Sequence, residues 1–172
     1  NADLFGADAA RCLVASYDYT VFAGTQGTIG HKKHDRLFQV ALEARVPMVV
    51  FCEGGGGRPT DTDILSGANL ANPTFVAFAK LSALAPLVGI GAGRCFAGNA
   101  ALLGCCDVII ATKNASIGMG GPAMIEGGGL GVYHPDEVGP VSFMAPNGVI
   151  DVLVDDEEQA TTVARQYLSY FQ

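Results

Sequence analysis

Three runs of the chain are apolar at nearly every position: "PMVVFCE" (47–53), "PLVGIG" (86–91) and "DVIIAT" (107–112), each bounded by proline, glycine or charge. Continuous apolar runs of this length mark strands buried on both faces. Between them the period changes. "HKKHDRLFQVALEAR" (31–45) places Leu37, Val40, Ala41 and Ala44 at helical spacing, with charge on the other face. "PTFVAFAKLSALA" (73–85) predicts a second helix, with Pro73 near its first turn. "CFAGNAALLGC" (95–105) predicts a small-residue helix. Toward the N-terminus, "RCLVASYDYTVFAG" (11–24) predicts two short strands around a turn at Tyr17–Asp18. Toward the C-terminus, a glycine-rich stretch runs to about 134, and "GVIDVLVDDEEQATTVARQYLSYFQ" then predicts a strand feeding a helix. Strands alternating with helices predict an α/β architecture with parallel pairing. The length of 172 residues, with no internal repeat and no linker, predicts one domain over 1–172.

Charge narrows the partners. A net charge of −7 disfavours a nucleic-acid groove or an anionic membrane surface. No apolar run approaches the ~20 residues of a membrane span, and the N-terminus lacks the regions of a signal peptide. Neither terminus reads as a natural beginning or end, so the chain reads as an excised piece. The cysteines are Cys12, Cys52, Cys95, Cys105 and Cys106. Their odd number, with no C-x-x-C pair, fits free thiols in a reducing, cytoplasmic setting better than disulfides or a metal site.

The candidate chemistry lies in two glycine loops that follow predicted strands. "EGGGGRP" (53–59) contains Gly54, Gly55, Gly56, Gly57 and Arg58, and glycines let a ligand approach the backbone closely. It reads either as a flexible surface loop or as a ligand cradle at the C-terminal end of a strand, where open α/β sheets bind ligands. No G-K-[ST] follows, which argues against a phosphate loop. "GAGRCFAG" (91–98) repeats the logic before a helix, where N–H groups suit an oxyanion. Two such loops, each giving one N–H to a single carbonyl oxygen, make an oxyanion hole. Gly93-x-Cys95-x-Ala97 stands one residue away from a nucleophile elbow. A cysteine hydrolase also needs a histidine and a carboxylate in reach. His31 and His34 fall on the charged helix face and read as solvated, while His134 reads as a surface residue. Free cysteines are more often small buried hydrophobes than nucleophiles, so Cys95 reads as packing.

In order and spacing these segments resemble the N-terminal half of the carboxyltransferase domain of biotin-dependent acyl-CoA carboxylases, within the crotonase/ClpP superfamily. The likeness runs from about residue 14 to 172. "DYTVFAGTQGTIGHKKHDRLFQVALEARVPMVV" stands at that family's opening strands and first helix. "EGGGGR" stands where the family has a D-S-G-G-A-R loop, and "GRCFAGNAALLGCCD" where it has a G-P-C-A-G-G segment ending in Asp. "NGVIDVLVDDEEQATTVARQYLSYFQ" resembles the strand and helix that close the half-domain. The family's Gly-Gly appears here as Ala97-Gly98, and its S-G-G-A as Gly54 to Gly57.

The resemblance implies a crotonase-like ββα spiral and separates three reaction types. Related proteases carry their serine at the position of Ala97, and the region of "SIGMGGP" here lacks their histidine. Enoyl-CoA hydratases resemble "NAALLGCCDVIIAT" but have catalytic glutamates where this chain has Ala101 and Ala123, so hydration loses its proton-transfer groups. Carboxyl transfer needs neither group, because in that family's reaction the α-proton of the acyl-CoA passes to the ureido nitrogen of biotin before the enolate takes up CO2. By resemblance, backbone groups of Gly56, Gly57, Ala97 and Gly98 hold the thioester oxygen. Gly54, Gly55, Arg58, Gly93, Cys95, Gly120 and Gly121 line the substrate. The expected substrate is acetyl- or propionyl-CoA, as in the acetyl-CoA carboxylases of fatty acid metabolism. Carboxybiotin arrives on a separate carrier domain, and no metal is expected in this part. The implied partners are the C-terminal biotin-binding half, the biotin carboxyl carrier and biotin carboxylase domains, and further copies in a homo-oligomer. The alternatives are a biotin-dependent acyl-CoA decarboxylase subunit and a non-catalytic CoA-ester-binding module.

Overall fold

The structure is a computed structural model that describes residues 1–58 and 72–172. Pro59, the end of the predicted 53–59 loop, lies outside the described residues. In chain order the elements are α1 (Ala2–Phe5), β1 (Leu13–Ser16), α2 (Thr28–Ala44), β2 (Met48–Phe51), α3 (Thr74–Leu81), β3 (Leu87–Gly91), β4 (Arg94–Phe96), α4 (Gly98–Gly104), β5 (Val108–Thr112), β6 (Ser116–Gly118), α5 (Pro122–Gly127), α6 (Val141–Met144), β7 (Val152–Val154) and α7 (Glu157–Ser169).

Five strands form one parallel sheet in the order β1-β2-β3-β5-β7. Its central strand β3 is buried at all five positions, as the apolar run predicts. Side chains alternate across a strand, so the sheet feeds two cores. Met48, Val50 and Leu87 join Phe38 and Ala41 of α2, Phe78 and Leu81 of α3, and Leu102 and Leu103 of α4. Val49, Val88, Ile90, Val108 and Ile110 point the other way onto Ala160, Ala164 and Leu168 of α7. Phe38 and Phe78 pack with ring centroids 4.7 Å apart, each burial contributing roughly 1.5–3 kcal/mol. Helix α7 starts where Asp156 accepts from the Gln159 N–H at 2.9 Å, followed by Glu157 and Glu158 at the positive end of the helix.

A second, thinner layer carries the site. Strands β4 and β6 pair in parallel, with Cys95 opposite Ile117. Single bridges extend the layer through Gly54–Cys95, Gln26–Gly57 and Ser116–Pro140. The pattern is strand, short strand, helix: β3–β4–α4, then β5–β6–α5, with β2, the bridged residues 54–57 and α3 as a third unit. This is the crotonase-like ββα spiral.

The structure corrects four expectations. Only the first strand of 11–24 forms. After it Asp18 accepts from the Thr20 N–H and hydroxyl at 2.9 and 2.5 Å, and a 3-10 turn follows at Phe22–Gly24, so the chain turns before a second strand can begin. Helix α2 starts at Thr28 rather than 31, and its fully buried positions are Phe38 and Ala41, while Ala44 is exposed. The expected helix from 95 begins at Gly98, because Arg94–Phe96 is held as a strand by β6. His31 and His34 are half-buried and hydrogen-bonded rather than solvated, because α3 and Tyr17 pack over that face.

Candidate active site

The two glycine loops meet. Gly54 N–H donates to Arg94 O and Gly54 O accepts from Phe96 N–H, both at 2.8 Å, which lays the first loop along β4. Gly56 has φ +83°, a left-handed conformation, and a Cβ built on it would lie 2.5 Å from Ala97 Cβ and 3.2 Å from Gly98 N. Only glycine permits both that φ and that approach. Gly98 is pressed from the other side: a Cβ there would stand 2.1 Å from Gln26 Oε1. Between them Ala97 adopts φ +50°, ψ −118°, a conformation that strains an L side chain.

Four amides had been candidates for the hole. Gly56 N–H donates to Asn99 Oδ1 at 2.9 Å, and Ala97 N–H donates to Gly118 O at 2.9 Å. Gly57 bridges Gln26 such that Gly56 O accepts from Gln26 N–H at 2.7 Å and Arg58 N–H donates to Gln26 O at 2.9 Å. The N–H groups of Gly57 and Gly98 have no partner among the described residues, and Gly57 is exposed. Gly121 backs onto the Phe96 ring, and Gly120 lies beside Met124. Arg58 carries its guanidinium 5.0 Å from the Phe22 ring centroid. Gly55 N–H donates to Ala23 O at 3.2 Å.

Cys95 is fully buried, and burial pushes its thiol up, with the Glu53 charge acting in the same direction. A thiol with so little thiolate is inert. Cys95 packs in the core opposite Ile117, and this full burial corrects the expectation that it lines the substrate. Gly93, with Glu53, Arg94, Lys113 and Asp136, helps line a cavity of about 650 Å³. There Arg94 pairs with Asp136 at 3.0 Å. Glu53 Oε1 accepts from the Ala92 N–H, and burial raises the Glu53 carboxyl above its ordinary range.

His31 and His34 are held in hydrogen bonds and ring contacts whose partners reach toward the loops. His34 gives its Nδ1 proton to Gly30 O at 2.9 Å and stacks on Tyr17 with centroids 4.6 Å apart. Burial lowers its pKa. Tyr17 Oη accepts from Gln26 Nε2 at 2.9 Å, and Gln26 lies against Gly98. Asn72 accepts from Thr74 N–H through Oδ1, so its Nδ2 faces His31 Nε2 at 3.0 Å. The His31 Nδ1 proton then points to Thr74 Oγ1 at 2.9 Å, whose hydroxyl donates to Asp35 at 2.5 Å. This relay ties α2 to the first turn of α3, whose Phe75 borders Gly98. His134 is exposed and caps the 3-10 turn Pro135–Glu137.

Sequence reasoning missed Asn99, Gln26 and Tyr17. The available signal was a lone asparagine inside the apolar segment "CFAGNAALLGC". Among the described residues no group of three or more His, Cys, Asp or Glu is placed to hold a metal ion, and no helix is long and apolar enough to cross a membrane.

Backbone donors on two apposed loops, without an acid or base bonded to them, can hold a carbonyl oxygen but move no proton. The chain is similar to known proteins of one family. A solved single-chain, multi-domain long-chain acyl-CoA carboxylase is 58% identical with a TM-score of 0.92, covering 99% of this chain and 17% of that one. A transcarboxylase 12S structure with methylmalonyl-coenzyme A bound is 30% identical with a TM-score of 0.75, covering 88% of this chain and 30% of that one. The methylmalonyl-CoA carboxyltransferase 12S subunit of Propionibacterium freudenreichii subsp. shermanii is 32% identical over 158 residues, 91% of this chain and 30% of that protein. The chain thus spans less than a third of the length of these relatives. Residues 7–172 match the carboxyl transferase domain, and the chain belongs to this family of biotin-dependent acyl-CoA carboxyltransferases.

Proposed function

We propose that this chain is the acyl-CoA-binding half of a carboxyltransferase that moves a carboxyl group onto the α-carbon of an acyl-CoA. The observation that carries the reading is the pair of amides, Gly57 and Gly98, which lack a partner among the described residues on apposed loops. In this reading they are the donors to the thioester oxygen, and Gly56 and Ala97 build the frame that holds them. As the α-proton leaves, negative charge grows on that oxygen, and preset N–H groups stabilise it without reorganising. The donor set fits the thioester and offers no proton acceptor. When bound in the complete enzyme, carboxybiotin supplies the carboxyl group and a basic ureido nitrogen. Its seat, the carrier and the carboxylase domains belong to other parts or copies of the enzyme, and half a site open to water turns over poorly.

For the acyl chain, the sequence reading of acetyl- or propionyl-CoA has a rival. The 58% identity to a long-chain acyl-CoA carboxylase favours a long acyl group. The test is carboxylation by the complete polypeptide with acetyl-, propionyl- and palmitoyl-CoA. Preference for palmitoyl-CoA selects the long-chain reading, and preference for the short esters selects the first. No carboxylation of any ester overturns the function.

A further inference from the structure

We propose that Asn99 positions the oxyanion hole, selecting which amide of the first glycine loop faces the thioester. The inference rests on the acyl-CoA reading above. Asn99 is the second residue of α4 and is fully buried in an otherwise apolar helix. A buried carboxamide is costly unless every polar atom is bonded, and here every one is. Oδ1 accepts from the Gly56 N–H at 2.9 Å, while Nδ2 donates to Glu53 O at 3.2 Å and to Gly24 O at 3.3 Å. Two carbonyls on one side and one N–H on the other fix the amide orientation. Aspartate has the shape but lacks the donor, and alanine has neither.

The bonds decide the site's donors. Capturing the Gly56 N–H withdraws it from any ligand and pins the Gly55–Gly56 peptide plane, one before the plane that carries the Gly57 N–H. Gln26 holds the next two planes, that of Gly56 O and Gly57 N–H through Gly56 O, and that of Gly57 and Arg58 through the Arg58 N–H. The Gly57 amide is the one left over. Gly98 is bonded covalently to Asn99, so one side chain fixes both donors relative to each other. Asn99 touches no substrate in this arrangement and acts only through Gly56 and Gly98.

The experiment uses the complete polypeptide and acyl-CoA labelled with 13C at the thioester carbonyl. In the unmodified protein the bound carbonyl stretch moves to lower frequency. Asn99→Ala loses that shift and about 10²-fold in kcat, with KM little changed. Leu102→Ala, a buried truncation in the same helix, lowers stability and keeps the shift, which separates positioning from general loosening. A shift retained in Asn99→Ala overturns the role of Asn99 alone. No shift in the unmodified protein overturns the acyl-CoA reading and this inference with it. Should Asn99→Ala fail to fold, residue-resolved hydrogen exchange on the unmodified protein decides. Gly56 N–H exchanges slowly throughout, while Gly57 and Gly98 exchange fast and slow on adding acyl-CoA. Equal exchange at Gly56 and Gly57, or no response at Gly57, overturns the proposal.

Discussion

At Gly54 and Gly56 there is no room for a methyl group, whereas Gly127 and Gly129 stand in open space. A Cβ at Gly54 would lie 2.2 Å from both Asn99 Nδ2 and Gly24 O, while nothing stands within 4 Å of one at Gly127 or Gly129. The stretch around 119–132 also leaves Met119, Met124, Leu130 and Val132 exposed. Both stretches read as "glycine-rich". In the first, glycine lets segments near 24, 53–57 and 97–99 come into contact; in the second, Gly127 meets no such demand, and Gly129 answers only to its own left-handed φ of +71°. A glycine's role is set by what approaches it and by the φ it holds.

The sharpest way to break this contrast is Gly56→Ala. A methyl would meet Ala97 Cβ and hold an unfavourable φ, so stability falls by about 3 kcal/mol, and carboxylation falls with it. Chemical denaturation and steady-state kinetics check both. The next test reverses the trade. Ala97→Gly removes the strain of φ +50°, ψ −118° and gains about 1 kcal/mol after the entropy of the freer unfolded chain is counted. Combined with Gly56→Ala it recovers part of the loss, with coupling of about 0.5–3 kcal/mol, as for residues in contact. Strict additivity would refute the shared-space account.

Glu53, at the start of the packed loop, sharpens the comparison through pH. Burial raises its folded-state pKa above the ordinary carboxyl value, so the ionised form is disfavoured by folding. The cost is absent below the ordinary carboxyl range and sets in as pH rises through the folded pKa. Glu53→Gln keeps the oxygen that accepts from Ala92 N–H and removes the charge. Its stability relative to the parent therefore grows with rising pH across that window, read as the difference in Tm. A constant difference would count against the burial argument. The smallest effect belongs to the open stretch: Gly127→Ala at the end of α5 changes stability by no more than about 1 kcal/mol, in the stabilising direction, and leaves carboxylation unchanged.

Much of the sheet was legible before the structure. The apolar runs at 47–53, 86–91 and 107–112 each became a parallel strand, because a strand covered on both faces is apolar at every position. Strand β4 was hidden. Arg94–Phe96 carries no pattern of its own, and its conformation comes from β6 and from Gly54, far away in sequence. The glycine loops pointed to close backbone approach, and they do meet, but which of their amides are bonded could not be read, since the Gly56 N–H is taken by the side chain of Asn99. The histidines misled for a related reason. Charge at Lys32, Lys33 and Asp35 marked a wet helix face, while Tyr17 and α3 reached over it to cover His31 and His34.

The three bonds of Asn99 also bear on how the chain folds. They join it to residues 43, 46 and 75 positions away. Contacts of such separation form late, because loop closure must be paid for before they give anything back. Local helices can form while the carboxamide is still unmatched. In the proposed reading the two donors come together only once such long-range contacts are made, and local helices alone present no working pair.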